Sequence, residues 1–267
     1  DTKPTDGKED TKPSDGKTDS KPTDEKPEKS DAFDPKTDMK VQMGSTMRTV
    51  SFKINKDVVT EEELKAAGYT VNGGVATKDT ICETATYTFT KLPKTLEEIK
   101  SIPLNDRFAP MAASICAVAA FDDEKYGVSY MYSHPIFEML DYLNGPAFEI
   151  NNTQRSGIFL SMRDAVKGSY KNAYFDGANP ENNYTPNTPY TFTLVESPYY
   201  IPAKSSTINY PSGTPERRMI LIAFAGDDFQ RYIDTYQSSD GNWYGWDNSW
   251  QHLVAEVKTM KGKDVTF

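Results

Sequence analysis

The sequence predicts an α+β protein in which an antiparallel, curved sheet packs against several helices, with a disordered tail in front. Two-residue alternation of apolar and polar side chains occurs early and late in the folded part, whereas helical patterns fill its middle. The two kinds of element do not alternate one by one. Strands and helices segregated in this way are typical of an α+β fold with an antiparallel sheet.

The first elements after the tail are strands and short helices. Met47–Asn55 alternates cleanly and predicts a half-buried strand. The Thr-rich run Asp79–Thr90 predicts a second strand, preceded by a turn at Asn72-Gly73-Gly74. Thr60 and Thr95 are each followed by Glu three residues later, and this capping-box pattern predicts two short helices.

The middle third predicts three helices, over Ala109–Phe121, Ser133–Leu143 and Gly157–Lys167. The first is apolar almost all round, so we expect it to be buried on most sides. The second begins with a Ser that can cap its N-terminus and stops at Gly145-Pro146.

The last third returns to strand patterns. Thr188–Val195 alternates, and Arg218–Ala225 is apolar on both faces, as a central strand would be. Gln230–Gln237 and Trp243–Asp247 predict a hairpin. The segment 251–258 fits both helical and strand spacing, so both assignments stay open.

The first 31 residues contain none of the hydrophobic residue types and repeat a nine-residue unit: DTKPTDGKE, DTKPSDGKT and DSKPTDEKP. Because no apolar burial offsets the entropy lost on ordering, residues 1–33 are predicted to be a disordered repeat spacer. Residues 34–267 are predicted to form a single α+β domain, with an N-terminal strand and helix part over 34–104. We favour a stalk that lifts this domain from a surface; the alternatives are a non-specific interdomain linker and a variable terminus.

The charge balance excludes some classes of partner. The chain has 30 basic and 39 acidic residues, a net charge of -9, which argues against nucleic-acid binding. No apolar run reaches the roughly 18 residues that a membrane-spanning helix needs.

Motifs for catalysis are lacking. His134 and His252 have no second His or Cys at metal-ligand spacing, so no metal and no cofactor are predicted. His134 begins a predicted helix, where capping or surface exposure is more typical than catalysis. The adjacent acids at 122–124 and 227–228 are more typical of solvated surface or helix caps than of paired catalytic carboxylates. Enzyme activity is left uncertain, and the sequence leans against it.

The two cysteines favour free buried thiols over a disulfide. Cys82 lies on the Thr face of its predicted strand and Cys116 in an apolar helix, so nothing forces the two together. A bridge would require export to an oxidising compartment.

An aromatic region between Tyr170 and Tyr210 is interleaved with Pro and Asn. The prolines forbid regular structure, so side-chain packing and Asx turns are expected to hold the loop from Asp176 to Pro189. Tyrosines that pin this loop to the sheet are the favoured interpretation; the alternative is a sugar or peptide groove, since such grooves use aromatic faces beside amides. The candidate ligand-binding residues are Tyr174, Phe175, Asn183, Tyr184, Trp243, Tyr244 and Trp246.

The string Tyr174-Phe175-x-Gly177-Ala178-x-Pro180-x-Asn182-Asn183-Tyr184-Thr185-Pro186 resembles a family of uncharacterised domains in secreted lipoproteins of anaerobic Gram-positive bacteria. The resemblance extends over about residues 105–258. It implies export, a lipid-modified Cys upstream of Asp1, a cell-surface location and a final strand at Gln251–Lys258. This chain departs from the family pattern at Gly226-Asp227-Asp228, where the family has Gly-Ala-Asp. The predicted hairpin that ends in Gly-x-Trp and packs on helices is reminiscent of NTF2-like folds.

The family has no established activity, so three hypotheses remain. The first is a non-catalytic domain that binds an extracellular glycan, peptide or envelope partner in an open groove around Tyr184, Trp243 and Trp246. The second is a hydrolase of envelope polymers, which needs two converging carboxylates or an Asp with His134. The third is a structural envelope protein. Membrane contact is expected only through the lipid anchor, and the oligomeric state is left open.

Overall fold

A computed structural model describes residues 32–57, 59–126, 128–164, 171–198, 217–225, 230–246 and 249–254. Residues 1–31 of the predicted spacer and the loop at 226–229 lie outside these residues, so their predicted properties stay predictions. The predicted end of the spacer at residue 33 is wrong, because Phe33 is buried in the core. Among the helices of the described ranges, none has the length and hydropathy that would let it cross a bilayer.

An antiparallel sheet of seven strands organises the described residues. The strands are β1 (Met39–Lys53), β2 (Thr70–Asn72), β3 (Val75–Phe89), β4 (Tyr190–Glu196), β5 (Arg217–Ile222), β6 (Arg231–Gln237) and β7 (Trp243–Gly245). Their spatial order is β1-β3-β4-β5-β6-β7, and β2 pairs with the first residues of β3. The sheet is therefore open, with β1 and β7 at its edges, and the predicted α+β class is confirmed.

Seven α-helices occur in the described ranges. They are α1 (Pro35–Asp38), α2 (Glu61–Ala66), α3 (Leu96–Lys100), α4 (Ala109–Ala119), α5 (Asp123–Tyr126), α6 (Pro135–Asn144) and α7 (Asn152–Asp164). The capping boxes at Thr60 and Thr95 are both present and begin α2 and α3, as predicted. Every residue of α4 from Ala109 to Val118 is buried, which confirms the expectation that this helix lies inside the core.

The two faces of the sheet differ. On one face, the buried side chains of Tyr87, Phe89 and Phe192 stack with centroid separations of 5.8–6.3 Å and join the cluster that contains α4. On the other face, hydroxyl groups pair across β3 and β4, and the Thr86 and Thr193 oxygens lie 2.9 Å apart. The helices that form the core therefore pack against one face, and the other carries a row of threonines.

Both cysteines are free and buried, as the sequence favoured. Cys82 alternates with Ile81 and so lies on the threonine face, whereas Cys116 lies within α4 in the core. Burial raises the pKa of the Cys116 thiol far above its ordinary value, and it raises that of Cys82 as well. The sheet separates the two sulfur atoms.

The start of the described chain is fixed to the core through Glu98. The backbone N–H of Phe33 donates to the Glu98 carboxylate over 2.8 Å, and the N–H groups of Lys94 and Thr95 donate to it too. Burial alone would raise the pKa of Glu98, but these three donors outweigh it and hold the pKa below its ordinary value. The carboxylate thereby holds the buried Phe33 ring against the sheet.

Several element boundaries differ from the sequence prediction, and the three that follow begin the elements concerned. β1 begins at Met39 rather than Met47, because pairing with β3 continues over all 15 of its residues. The cap of α6 is His134 rather than Ser133. α7 begins at Asn152 rather than Gly157, since the side chains of Asn151 and Gln154 each accept the other's backbone N–H.

The final strand that the resemblance implied at Gln251–Lys258 is wrong for its described part. Ser249–Val254 forms a 3-10 helix, and Trp250, Leu253 and Val254 are buried in the core. Helical spacing places these three on one side, which a strand would not do. Residues 255–258 lie outside the described residues.

Candidate functional site

A cavity opens at the end of α4, beside the beginning of α6. Its volume is about 430 Å³, within the range of roughly 300–1,000 Å³ that is typical of small-molecule sites. Three segments and one lysine line it: the chain before α3, the residues that end and follow α4, the first turns of α6, and Lys171.

The floor of the cavity is apolar. Its lining residues of this type include Leu92, Ala117, Ala120, Phe121, Ile136 and Met139. Ala117 and Ala119 near the end of α4, and Ala120 directly after it, leave space that larger side chains would fill. The sequence of α4 therefore creates the cavity.

The wall carries an excess of positive charge. Among the described side chains of the lining, Lys94, Lys125 and Lys171 stand against one carboxylate, Asp122. Lys171 Nζ donates to the carbonyl of Phe121 over 3.0 Å, which holds this ammonium group beside the floor. Lys125 Nζ lies 5.0 Å from the ring centroid of Tyr126, at cation–π distance. None of the three lysines forms an ion pair within the part of the chain that the structure describes.

His134 lies at the back of the cavity and is only 2% exposed. The backbone N–H of Ile136 donates to Nδ1 over 3.1 Å, so Nε2 carries the proton, and it lies 3.2 Å from the carbonyl of Asp122. The ring packs among aromatic neighbours, with centroid separations of 4.7 Å to both Phe121 and Tyr126. Of the two alternatives predicted for His134, the helix cap is the one that the structure has, and surface exposure is wrong.

This arrangement limits the chemistry of the site. Both ring nitrogens of His134 bond to backbone groups, so neither is available to take a proton from a substrate. Asp122 is the single acidic residue among the described residues of the lining, so these residues offer no pair of carboxylates for glycoside hydrolysis. Asp122 Oδ1 accepts the N–H of Lys125 and acts as a helix cap. Within the described ranges, no group of three His, Cys, Asp or Glu residues is arranged to hold a metal ion.

The ligand-binding residues that the sequence predicted lie elsewhere, and most are inside the core. Tyr184 is 2% and Trp246 4% exposed, so the expected open groove around them is absent from the described residues, and that expectation is wrong. Tyr174, Phe175 and Tyr244 are also buried, Trp243 is half-buried and Asn183 is exposed. Ligand binding by these residues stays a prediction, but five of the seven side chains are occupied in packing.

The first predicted group, around Tyr174, fixes the loop to the core. Tyr174 Oη donates to the carbonyl of Leu253 over 2.5 Å, and Phe175 packs against Tyr190 and Phe192. These contacts use both aromatic side chains for the structure of the fold.

The Asn residues of the same loop replace regular secondary structure. Asn179 and Asn182 cap each other's backbone N–H, and Asn182 Nδ2 donates to the carbonyls of Gly177 and Thr185. A Cβ at Gly177 would lie within 3.0 Å of the Asn187 side chain, so this position requires glycine. The predicted Asx-type turns and packing are confirmed, and the aromatic string is explained by folding.

The second predicted group, on β7 and directly after it, packs under a different part of the chain. The ring of Trp246 contacts Phe148 and Tyr236 edge-on, with centroid separations of 4.9 and 5.5 Å. Tyr244 Oη donates to Asp240 over 2.9 Å, and burial together with this bond raises the pKa of Tyr244 to about 12. Phe148 comes from a segment remote in sequence, and so the sequence alone does not indicate that Trp246 is covered.

The cavity was missed because its residues come from separate segments between positions 92 and 171. No local spacing joins Lys94, Lys125 and Lys171. The one signal available in the sequence is the run of small residues that ends α4, directly followed by charged residues at 122–125.

Comparison with known proteins gives one positive finding. A family model described as "Domain of unknown function (DUF6935)" matches residues 91–261, which include the whole lining of the cavity. No curated protein matches this chain. No solved structure matches it either.

Proposed function

Since the chain belongs to the DUF6935 family of domains of unknown function, which supplies no activity, we propose that it is a non-catalytic binding domain. Its ligand is a small organic anion, held in the cavity between the ends of α4 and α6. The observation that carries this proposal is the combination of an apolar floor with three lysines and one carboxylate among the described residues of the wall.

The two parts of the cavity suit two parts of a ligand. An apolar group on the floor would replace water against Phe121, Ile136 and Met139, which is the main source of affinity in such sites. Lysine ammonium groups attract a carboxylate or phosphate as point charges and orient the ligand. An uncharged ligand would leave this excess of positive charge without compensation.

Binding is better supported than hydrolysis. A hydrolase needs a group that takes or gives a proton at the reacting bond, and His134 bonds to the backbone through both nitrogens. Asp122 is also the one acid among the lining residues that the structure describes, so a second carboxylate is lacking from that set.

The same proposal includes a source for the ligand. An acidic sugar, or a peptide end that carries a free carboxylate, meets the requirement for an anion beside an apolar group. A location at a cell surface fits such a ligand. Its support is the resemblance of the aromatic string to domains of secreted lipoproteins and the repeat of the first 31 residues, which suits an exposed spacer.

The test compares ligands that differ only in charge. N-acetylphenylalanine is titrated against the chain by calorimetry, with N-acetylphenylalanine amide as its neutral counterpart, and glucuronate with glucose as a second pair. We expect the anion of at least one pair to bind at least about tenfold more tightly, and this preference to weaken as salt rises. Equal affinities within both pairs, or no binding of either anion, would contradict the proposal.

Variants then place the ligand in the cavity. Lys94→Gln and Lys125→Gln remove exposed charges of the wall, and each is expected to weaken anion binding about fivefold, equivalent to about 1 kcal/mol. Lys40→Gln is the matched control, because Lys40 is an exposed lysine of β1 outside the cavity. An equal loss of affinity in Lys40→Gln would mean that the anion responds to net charge rather than to this site.

A further inference from the structure

β1 presents an open edge with an apolar stripe along it. The strand is 15 residues long and contains no proline, and its outer side has no strand partner among the described residues. Val41 is 40%, Met43 52% and Met47 62% exposed, and Ile81 on the neighbouring β3 is 68% exposed. Long unprotected edges of this kind pair readily with another strand.

The stripe lies on the face of the sheet that also forms the core. Met47 is directly opposite Ile81, Met43 opposite Ala85 and Val41 opposite Tyr87. Opposite residues in an antiparallel pair point to the same face. Ala85 and Tyr87 are buried, so the stripe continues the core face beyond the part that the helices cover.

The hydrogen-bond pattern shows which backbone groups face outward. At the two ends of the pairing, the N–H of Thr90 donates to Asp38 and the N–H of Ile54 donates to Gly74. The register between β1 and β3 is unbroken, so even-numbered residues of β1 bond to β3 and odd-numbered residues turn their N–H and C=O outward. Within the described part of the chain, the outward backbone groups of Met43, Ser45 and Met47 therefore bond to no other strand and lie beside the apolar stripe.

We propose that the occupant of this edge is a second copy of the chain, paired antiparallel through β1 about a two-fold axis at Ser45. This register places Met43 of each copy opposite Met47 of the other and joins their backbones through the outward N–H and C=O groups. The two stripes then form one apolar surface, and the two sheets become continuous. A self-complementary patch of this kind is what a symmetric dimer requires.

Neighbouring registers are less favourable. An axis at Gly44 would place Lys40 opposite Arg48 of the second copy, and like charges at that distance repel. An axis at Thr46 would place Met43 opposite Thr49 and leave both methionines without apolar partners. The first 31 residues of the same chain contain no hydrophobic side chain, so they do not match the stripe.

Sedimentation equilibrium of the full chain tests the proposal. We expect a reversible monomer–dimer equilibrium, and Met43→Lys with Met47→Lys in one chain should raise the dimer dissociation constant at least about tenfold through two repelling pairs. Met43→Lys with Met47→Glu should restore it to within about threefold, because each Lys then faces a Glu of the other copy. Within one chain the two positions are four residues apart on a strand and do not contact each other, so this rescue is specific to the register.

A second pair of variants examines the backbone. Ser45→Pro removes an outward N–H that β3 does not use, so we expect a folded monomer, whereas Ser45→Ala keeps the N–H and the dimer. Circular dichroism confirms that each variant is folded. A chain that is monomeric at all concentrations overturns the proposal. This holds whether hydrogen exchange shows the outward amides of β1 to be unprotected or protected by another segment of the same chain. A dimer that keeps its dissociation constant in the Lys–Lys variant and in Ser45→Pro overturns it as well.

Discussion

Replacing His134 separates a structural role from a catalytic one. His134→Ala removes the acceptor for the Ile136 N–H, and loss of such a cap costs about 1 kcal/mol. It also removes a buried ring that contacts Phe121 and Tyr126, and aromatic truncation in a core costs about 3 kcal/mol. The carbonyl of Asp122 lies beside the cavity and can bond to water instead, so it adds little. We expect a total loss of about 4 kcal/mol in the free energy of unfolding.

Two further variants measure the contributions of the cap and of the ring packing separately. His134→Asn supplies an oxygen to the Ile136 N–H and should recover about 1 kcal/mol, whereas His134→Phe restores the ring without the cap and should recover about 2 kcal/mol. Urea unfolding followed by tryptophan fluorescence measures all three variants, with unchanged m-values as the sign that the denatured state is unaffected. The reasoning is refuted if His134→Ala costs less than about 1 kcal/mol, since the histidine would then be free for another role.

Further predictions concern the glycine at position 145, the carboxylate of Glu98 and the two cysteine thiols. Gly145→Ala should lower the free energy of unfolding by about 3 kcal/mol, because φ is +69° and the new Cβ would lie within 3.0 Å of three ring atoms of Tyr244. Gly241→Ala is the control, since φ is +85° there but the space around it is open. It should lower the free energy of unfolding by about 1 kcal/mol in the same urea assay. Glu98→Gln should destabilise the chain at neutral pH. Because the folded-state pKa of Glu98 is lowered, the stability that its carboxylate supplies is present above its unfolded pKa of about 4.3 and is lost as pH falls through the folded value. The difference in free energy of unfolding between wild type and variant should therefore narrow as pH falls. A difference that stays constant with pH would contradict this. Neither cysteine should react with a thiol reagent in the native state, and both should react without reductant once the chain is unfolded.

Local chemistry made much of the fold predictable. The capping boxes at Thr60 and Thr95 depend on residues three positions apart, and the row from Ala85 to Phe89 depends on a two-residue period. The first half of β1 was missed although Val41 and Met43 alternate with polar residues. The apolar side chains in this half of β1 are exposed, so it has no buried face that would indicate a strand. The long pairing with β3 is what makes this segment a strand.

The candidate site was less predictable because it depends on contacts between remote segments. The residues around Trp246 in the sequence do not indicate whether its ring is exposed or buried. The ring is buried because Phe148, from another segment, packs on it. In the same way, the cavity exists because the end of α4, the cap at His134 and the amine of Lys171 converge. Patterns of spacing along the chain do not contain that information.

The stacking of Tyr87 and Phe89 on Phe192 has a consequence for how the protein can be divided. The family match begins at residue 91, after the strand that carries Tyr87 and Phe89, so the boundary of homology runs through the middle of one sheet. A fragment cut at that boundary would open the edge of β4 and expose the apolar side of Phe192 and Leu194, a surface that promotes aggregation. We therefore expect that a fragment able to fold alone must include strands before residue 91, where the family match begins.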